Sequence, residues 1–287
     1  MPHIAYVNGQ YVPQRDAAVH IEDRGYQFAD GIYEVCVVVD GAYWDMDGHL
    51  ARMERSLKEL SMAAPMDIGS LKVVMGEVIR RNRLKNALVY MQVTRGVAPR
   101  NHSFPRPETS PSLVITARRF DFNQSDAKAA KGVSVITQPD IRWGRVDIKT
   151  VGLLPNAMAK EAATKAGAFE ALLVRDGFVT ECSSSNAWIV DESGALITHP
   201  KGNSILGGIT RQKVAATRAA HALDQLSTAQ PSEQLLQIRK RNFLTLRDIG
   251  ECDRLPIVLG RQIDHCHHRI ASFGTEFHVP SPLALGH

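Results

Sequence analysis

Apolar and polar positions alternate with period two at the start of the chain and then change to the three- and four-residue spacing of helices. HIAYVNGQYVP is strand-like on both sides of Asn8-Gly9, a dipeptide that supplies the positive φ angles of a tight turn, so a hairpin is predicted. IYEVCVVVDGAYW reads the same way, with β-branched residues running to Asp40-Gly41 and a return through Ala42, Tyr43 and Trp44. Between the hairpins, EDRGYQFADG is polar and aromatic and reads as a functional loop as readily as a core element. Helices follow. Leu50, Met53, Leu57 and Leu60 recur in GHLARMERSLKELSM, with Asp47 as its expected cap. Ile68, Leu71, Val74, Met75, Val78 and Ile79 line one side of a second helix over 67–83.

Strands are predicted at about 87–94 and 112–120, joined by GVAPRNHSFPRPETSP. Residues 122–131 read as a connector. Beyond them come a strand at 132–138, a helix at 156–166 and strands at 168–174, 178–181, 186–191 and 195–198, the first two meeting at Asp176-Gly177. A helix starts near Thr210 and runs to about 222; a short one from Ser232 to Arg241 and a strand in LPIVLG at 255–260 follow. Strands and helices are segregated rather than strictly alternating, which is the α+β class. The expected organisation is a smaller N-terminal α/β lobe, 1–121, the connector 122–131, and a larger C-terminal lobe, 132–287, atypical after about 222.

Composition narrows this little. A length of 287 residues suits two lobes, and 44% apolar with 22% charged residues excludes a fibrous or wholly disordered chain. The net charge of +4, from 34 basic and 30 acidic residues, is too near balance to imply a nucleic-acid or membrane partner. No apolar run approaches the roughly 18 residues of a membrane span. MPHIAYVNGQ lacks the pattern of a secretory signal, and Cys36, Cys182, Cys252 and Cys266 form no C-x-x-C pair, so a reducing cytoplasm is expected. The final 24 residues hold five of the eleven histidines, but His265, Cys266, His267 and His268 match no zinc spacing, and no metal is expected.

Several positions invite chemistry. Lys149 ends a mainly apolar segment before a Pro-led helix, where burial lowers an amine's pKa and makes it a usable nucleophile. Lys160 reads as an ordinary exposed helix lysine. Glu181 ends a strand; it caps amides, faces solvent, or holds a ring nitrogen protonated. The run Ser183-Ser184-Ser185-Asn186 forms a turn or lines a polar pocket. Leu206-Gly207-Gly208-Ile209-Thr210-Arg211 precedes a helix and suits either a phosphate or a plain cap at Thr210; it is not a Walker A loop. Arg52 and His49 share a helix face at i,i+3. Arg100 and His102, in a loop, either grip a carboxylate or are solvated.

Taken together, EDRGYQFADGIYEV, HLARMERS, QVTRGVAPRNHSFP, DIKTVGLLPNAMAKEAA, TECSSSN and THPKGNSILGGITR resemble the fold-type IV pyridoxal-phosphate enzymes, and among them the D-amino acid transaminases. The resemblance spans about residues 1–220 and implies two α/β lobes with pyridoxal 5'-phosphate at their interface. It places the Schiff-base lysine on Lys149, also the base that moves the substrate Cα proton. It places the ring-nitrogen partner on Glu181, the phosphate on Arg52 with Gly208, Ile209 and Thr210, and apolar ring contact on Leu206. Ser185 and Asn186 join the cofactor set, Tyr33 is the active-site tyrosine, and His49 supports a ligand without being one. Arg100 and His102, with Tyr33, clamp the substrate carboxylate from a neighbouring subunit of a homodimer. The implied reaction is D-alanine plus 2-oxoglutarate to pyruvate plus D-glutamate, by a ping-pong route between small D-amino acids and 2-oxo acids. Alternatives are a branched-chain L-amino acid or (R)-amine transaminase, an aminodeoxychorismate lyase-like enzyme, or an impaired homologue with a binding role. The pattern departs late: NFLT at 242–245 begins as in the family, but Leu246-Arg247-Asp248 replaces its small hydroxylated residues.

Overall fold

The computed structural model describes residues 3–190, 195–216 and 257–260. The expected helix from Ser232 to Arg241, the divergent stretch at 242–248, Cys252, Cys266 and the histidine-bearing end lie outside the described residues. The chain forms two compact units. The first takes its residues from Met1–Phe122, Trp143–Leu154 and Gly202–Ile209, the second from Asn123–Arg142, Pro155–Lys201 and Thr210–His287.

In the first unit, β1 (Ile4–Val7) and β2 (Gln10–Pro13) form the first hairpin, and β3 (Gly31–Val39) and β4 (Ala42–Trp44) the second. Their turns carry the positive φ angles that the dipeptides predict, 44° and 97° at Asn8 and Gly9 and 48° and 84° at Asp40 and Gly41. With β5 (Ala87–Thr94) and β6 (Ser112–Arg119) they make an antiparallel sheet in the order β2-β1-β6-β5-β3-β4. Period two puts Ile32, Cys36 and Val38 of β3 and Val89, Met91 and Val93 of β5 into one core. Two helices close that core. One lies between β4 and β5 and contributes Leu50, Met53 and Leu57; the next contributes Leu71, Met75, Val78 and Ile79. Each such buried side chain stabilises by about 2 kcal/mol.

Two local expectations change. EDRGYQFADG holds a short helix, α1 (Arg24–Phe28), because the Asp23 carboxylate accepts the Gly25 N–H at 2.8 Å and caps it. The next helix, α2 (Met46–Glu59), starts before Asp47; Asp45 precedes it, and Asp47 instead meets Lys72 at 2.8 Å. The second predicted helix appears as α3 (Ile68–Asn82), capped by Asp67.

In the second unit, residues 122–131, read as a connector, form helix α4 (Phe122–Lys131). Strand β7 (Val135–Pro139) pairs parallel with β8 (Glu170–Arg175), and β9 (Phe178–Cys182) pairs antiparallel with β8. Helix α5 (Leu154–Lys165) packs the small side chains of Ala159 and Ala163 against Ala171 and Leu173. A second sheet has β10 (Asn186–Val190) between β11 (Leu196–Thr198) and β12 (Ile257–Gly260), the last falling where LPIVLG predicts a strand. Residues 209–216 are helical, so Thr210 lies in the first turn rather than ahead of it. Among the described residues no helix is long and apolar enough to cross a membrane.

Candidate active site

Lys149 belongs to the first unit, because Trp143–Leu154 returns to it. The reason is an open sheet edge. Strand β4 pairs only with Val37–Val39, leaving the start of β3 free, and residues 149–151 fill it. Tyr33 N–H donates to Lys149 O at 3.0 Å, Val151 N–H donates to Gly31 O at 3.0 Å, and Ile32 faces Thr150. This register buries Lys149 and sets its Nζ 4.1 Å from the centre of the Tyr33 ring, a favourable seat for an amine on a π face. Tyr33 in turn stacks on Tyr90 at 5.6 Å. Burial, then the neighbouring Tyr33, pushes the Tyr90 hydroxyl up to about 12, so it stays neutral.

Next to Tyr33, on the opposite face of β3, is Glu34. It shares the apolar side with Ile32, Cys36 and Val38 and is 1% exposed. Its Oε1 and Oε2 accept Arg52 Nε and Nη2, each at 2.7 Å, and Oε2 lies 2.8 Å from His49 Nδ1. A carboxylate only accepts, so that His49 nitrogen carries the proton. The i,i+3 spacing read in the sequence thus brings His49 and Arg52 together on one acid. Burial opposes ionisation of Glu34, but the Arg52 and His49 hydrogen bonds and the Arg52 and Lys149 charges outweigh it and hold the carboxyl at about 2. Arg52 Nη1 also donates to Gly207 O at 3.0 Å. Among the described residues three of its five N–H groups are thereby used, and two remain on the terminal fork. Ile209 is buried near Gly48, and Leu206 and Gly208 are half-buried beside Gly207, around which a methyl group would meet nothing within 4 Å.

Glu181, Ser185, Asn186 and Thr210 belong to the second unit. Glu181 is buried at the end of β9; its Oε2 accepts Asn186 Nδ2 at 2.8 Å and its Oε1 pairs with Arg142 Nη1. Arg142 is itself held by Asp140 through Nε and Nη2, both at 2.8 Å, and Thr180 Oγ1 donates to Asp140 at 2.9 Å. Burial disfavours both charges, yet the pairing holds the Asp140 carboxyl at about 2 and raises Arg142. Ser183 and Ser184 both bond buried Glu170, and Asn156 Nδ2 donates to Ser183 O at 2.8 Å, which fixes the turn after Glu181. Ser185 Oγ is buried beside the Cys182 thiol with no oxygen or nitrogen partner among the described residues. Lys160 is not simply solvated: it donates to Phe169 O and lies 3.8 Å from Glu170.

Arg100 and His102 are exposed, on the loop between β5 and β6. Both lie on Phe28 of α1, the guanidinium 4.7 Å and the imidazole 5.5 Å from its ring centre. Glu34, Asp140 and Arg142 did not stand out in the sequence. The signal for Glu34 is an acid on the apolar side of an alternating strand; for the other two it is an acid and an arginine two apart directly after a strand.

Each unit by itself holds side chains of the kind that a phosphorylated pyridine aldehyde needs. Lys149 is a buried amine, and Arg52 keeps two N–H donors beside a glycine loop with open space. Glu181 is a buried carboxylate whose oxygens each accept more than one bond, and Ser185 Oγ has no oxygen or nitrogen partner among the described residues. Residues 31–253 match the family model of the amino-transferases of class IV. The D-alanine aminotransferase of Staphylococcus haemolyticus is 42% identical over 209 residues, 73% of each chain. That of Bacillus licheniformis is 39% identical over 229 residues, 80% of each chain. Among solved structures, a T.th. branched-chain amino acid aminotransferase with pyridoxamine 5'-phosphate superposes with a TM-score of 0.67 at 26% identity, covering 78% of this chain and 75% of that one.

Proposed function

The chain belongs to the class IV amino-transferases, and from that membership we propose that it moves amino groups between D-amino acids and 2-oxo acids. The specific reaction is D-alanine plus 2-oxoglutarate giving pyruvate plus D-glutamate. The observation that carries the reading is Lys149 buried against Tyr33, joined to a loop that presents Arg100 and His102. Relatives at 42% and 39% identity that are D-alanine aminotransferases support the substrate class.

Pyridoxal phosphate, when bound, supplies the aldehyde that receives the amino group and the ring that stabilises negative charge at the substrate Cα. Lys149 Nζ would hold the cofactor's aldehyde carbon and is the base placed to take and return the Cα proton. Tyr33 shields that amine from water on one side. Arg52, with Gly208, Ile209 and Thr210, holds the phosphate, and Glu34 neutralises the guanidinium and fixes its plane. Glu181 keeps the ring nitrogen protonated, with Ser185 and Asn186 beside it, and Leu206 gives apolar contact to the ring. Arg100 and His102 take the substrate carboxylate, and fixing it decides which enantiomer turns its Cα–H toward the amine. Exposure of this loop suits a homodimer in which one copy's clamp serves its partner. Buried, unpaired Cys36 and Cys182 accord with a reducing cytoplasm.

A second reading, turnover of branched-chain L-amino acids, draws on the likeness to the T.th. enzyme. Release of 2-oxo acid from a panel of D- and L-amino acids separates the two. Preference for D-alanine over L-leucine by at least about 100-fold supports the proposal, on the scale of a lost charge-assisted contact. The reverse preference defeats it.

A further inference from the structure

Arg24, on α1, is 2% exposed although it faces a loop whose side chains are nearly all in solvent. Its guanidinium grasps three consecutive backbone carbonyls of that loop: Nη1 donates to Asn101 O at 2.6 Å and to Ser103 O at 3.3 Å, and Nη2 donates to His102 O at 3.5 Å. Its Nε donates to Asp30 Oδ2 at 2.8 Å, and the same oxygen accepts Arg95 Nε at 2.8 Å. Arg95 is anchored on the end of α2, donating to Ser61 O at 2.9 Å and Leu60 O at 2.8 Å, and its guanidinium covers Phe104 at 3.6 Å. Two arginines and one aspartate therefore tie the loop to the sheet and to α2.

The mount for Arg24 is equally constrained. Asp23 accepts from Gly25 N–H and from Thr94 Oγ1, both at 2.8 Å. A Cβ at Gly25 would stand 2.2 Å from Thr94 Cγ2, and one at Gly96 would stand 2.0 Å from Ser110 O, so α1 needs a glycine to approach the end of β5, and the two ends of the loop need one to approach each other. A chain that only needed a solvated connection between β5 and β6 would gain nothing from burying a guanidinium here.

We infer that Arg24, anchored by Asp30, is a positioning residue for substrate recognition: its fork sets the backbone from which Arg100 and His102 reach the substrate carboxylate. This rests on the carboxylate-clamp reading given under the proposed function. Lysine keeps the charge but not the fork, so it cannot span the three carbonyls or hold Asp30 at the same time.

The test is steady-state kinetics of D-alanine on pyridoxal-phosphate-loaded full-length Arg24→Lys, Asp30→Asn and Arg100→Ala, with the visible cofactor band and Tm recorded for each. For Arg24→Lys, KM for D-alanine rises about tenfold while kcat stays within about twofold, the scale of a small misplacement of a binding group. Asp30→Asn shifts KM the same way by less, and neither variant loses the visible band. If Arg24→Lys leaves KM at the wild-type value while Arg100→Ala raises it, the positioning role is wrong and the clamp stands. If Arg100→Ala leaves KM unchanged, the clamp reading itself falls and takes this inference with it. Loss of the band, or of kcat in proportion to KM, marks a general structural role and also overturns the inference. Should Arg24→Lys fail to fold, the KM-against-kcat split of Asp30→Asn decides alone.

Discussion

The two units each bury a chain of charges, and the chains have opposite polarity. In the first, an acid stands behind a base: Glu34 neutralises Arg52, and the guanidinium keeps two donors for an anion. In the second, a base stands behind an acid: Arg142, braced by Asp140, neutralises Glu181. An isolated ion in a protein interior costs several kcal/mol, and a paired one far less. Backing each charge with its opposite lets each unit hold its buried ion at a lower cost. On the proposed function, the first unit also carries the group that moves a proton at carbon, Lys149.

Mutation can attack that contrast at several points. The largest effect falls on Lys149→Ala. Turnover drops by at least about 10³-fold, as expected when a general base is removed, and the pyridoxal-phosphate-loaded chain loses its visible band. A variant that keeps the band places the amine elsewhere.

Cutting either charge chain comes next. Glu34→Gln leaves Arg52 buried without its counter-charge, and Arg142→Ala removes the guanidinium that Asp140 and Glu181 share, leaving Asp140 with Arg175 at 3.1 Å. Each lowers unfolding stability by about 3 kcal/mol in urea titrations. Their effects on ligand binding differ: Glu34→Gln weakens affinity for inorganic phosphate as well as for pyridoxal phosphate, whereas Arg142→Ala leaves inorganic phosphate unaffected. Identical phosphate effects would erase the distinction between the units.

A pH titration probes the same two charge chains with a smaller signal. Glu34 and Asp140 have ordinary values of 4.5 and 3.8 and both sit at about 2 when folded. Their pKa values are depressed, so the stability they contribute is complete above about pH 5 and is lost as pH falls toward 2. Urea midpoints measured over that window should fall steeply for the wild type and less steeply for Glu34→Gln. Parallel curves would mean that Glu34 is not the titrating group. The smallest effect belongs to Asp47→Ala. Its bridge to Lys72 is exposed, and no measurable change in Tm is expected.

Much of the fold is legible from local chemistry alone. The turns at Asn8-Gly9, Asp40-Gly41 and Asp176-Gly177 fall where dipeptides that tolerate positive φ stand, and β5 and α3 follow their periodicities closely. What stayed hidden depends on long-range partners. Lys149 joins the first unit because β4 is too short to cover β3, a fact about sheet edges that no local pattern contains. Glu34 looked like one polar residue in a strand because its partners lie 15 and 18 residues away. Arg24 lies in a stretch that reads as a loop, and the three carbonyls it holds are 77 to 79 residues distant. Asp47 failed as a cap for the opposite reason, since a second acidic candidate stands just before it and the backbone at Asp45 took the position.

A single half-reaction puts D-specific amino transfer to the test. The full-length chain is loaded with pyridoxal phosphate, freed of excess, and given D-alanine or L-alanine with no 2-oxo acid present. The expected result is one pyruvate released per bound cofactor from D-alanine, with bleaching of the visible band, and none from L-alanine. Equal or greater release from L-alanine, or no release from either, would contradict the proposed function.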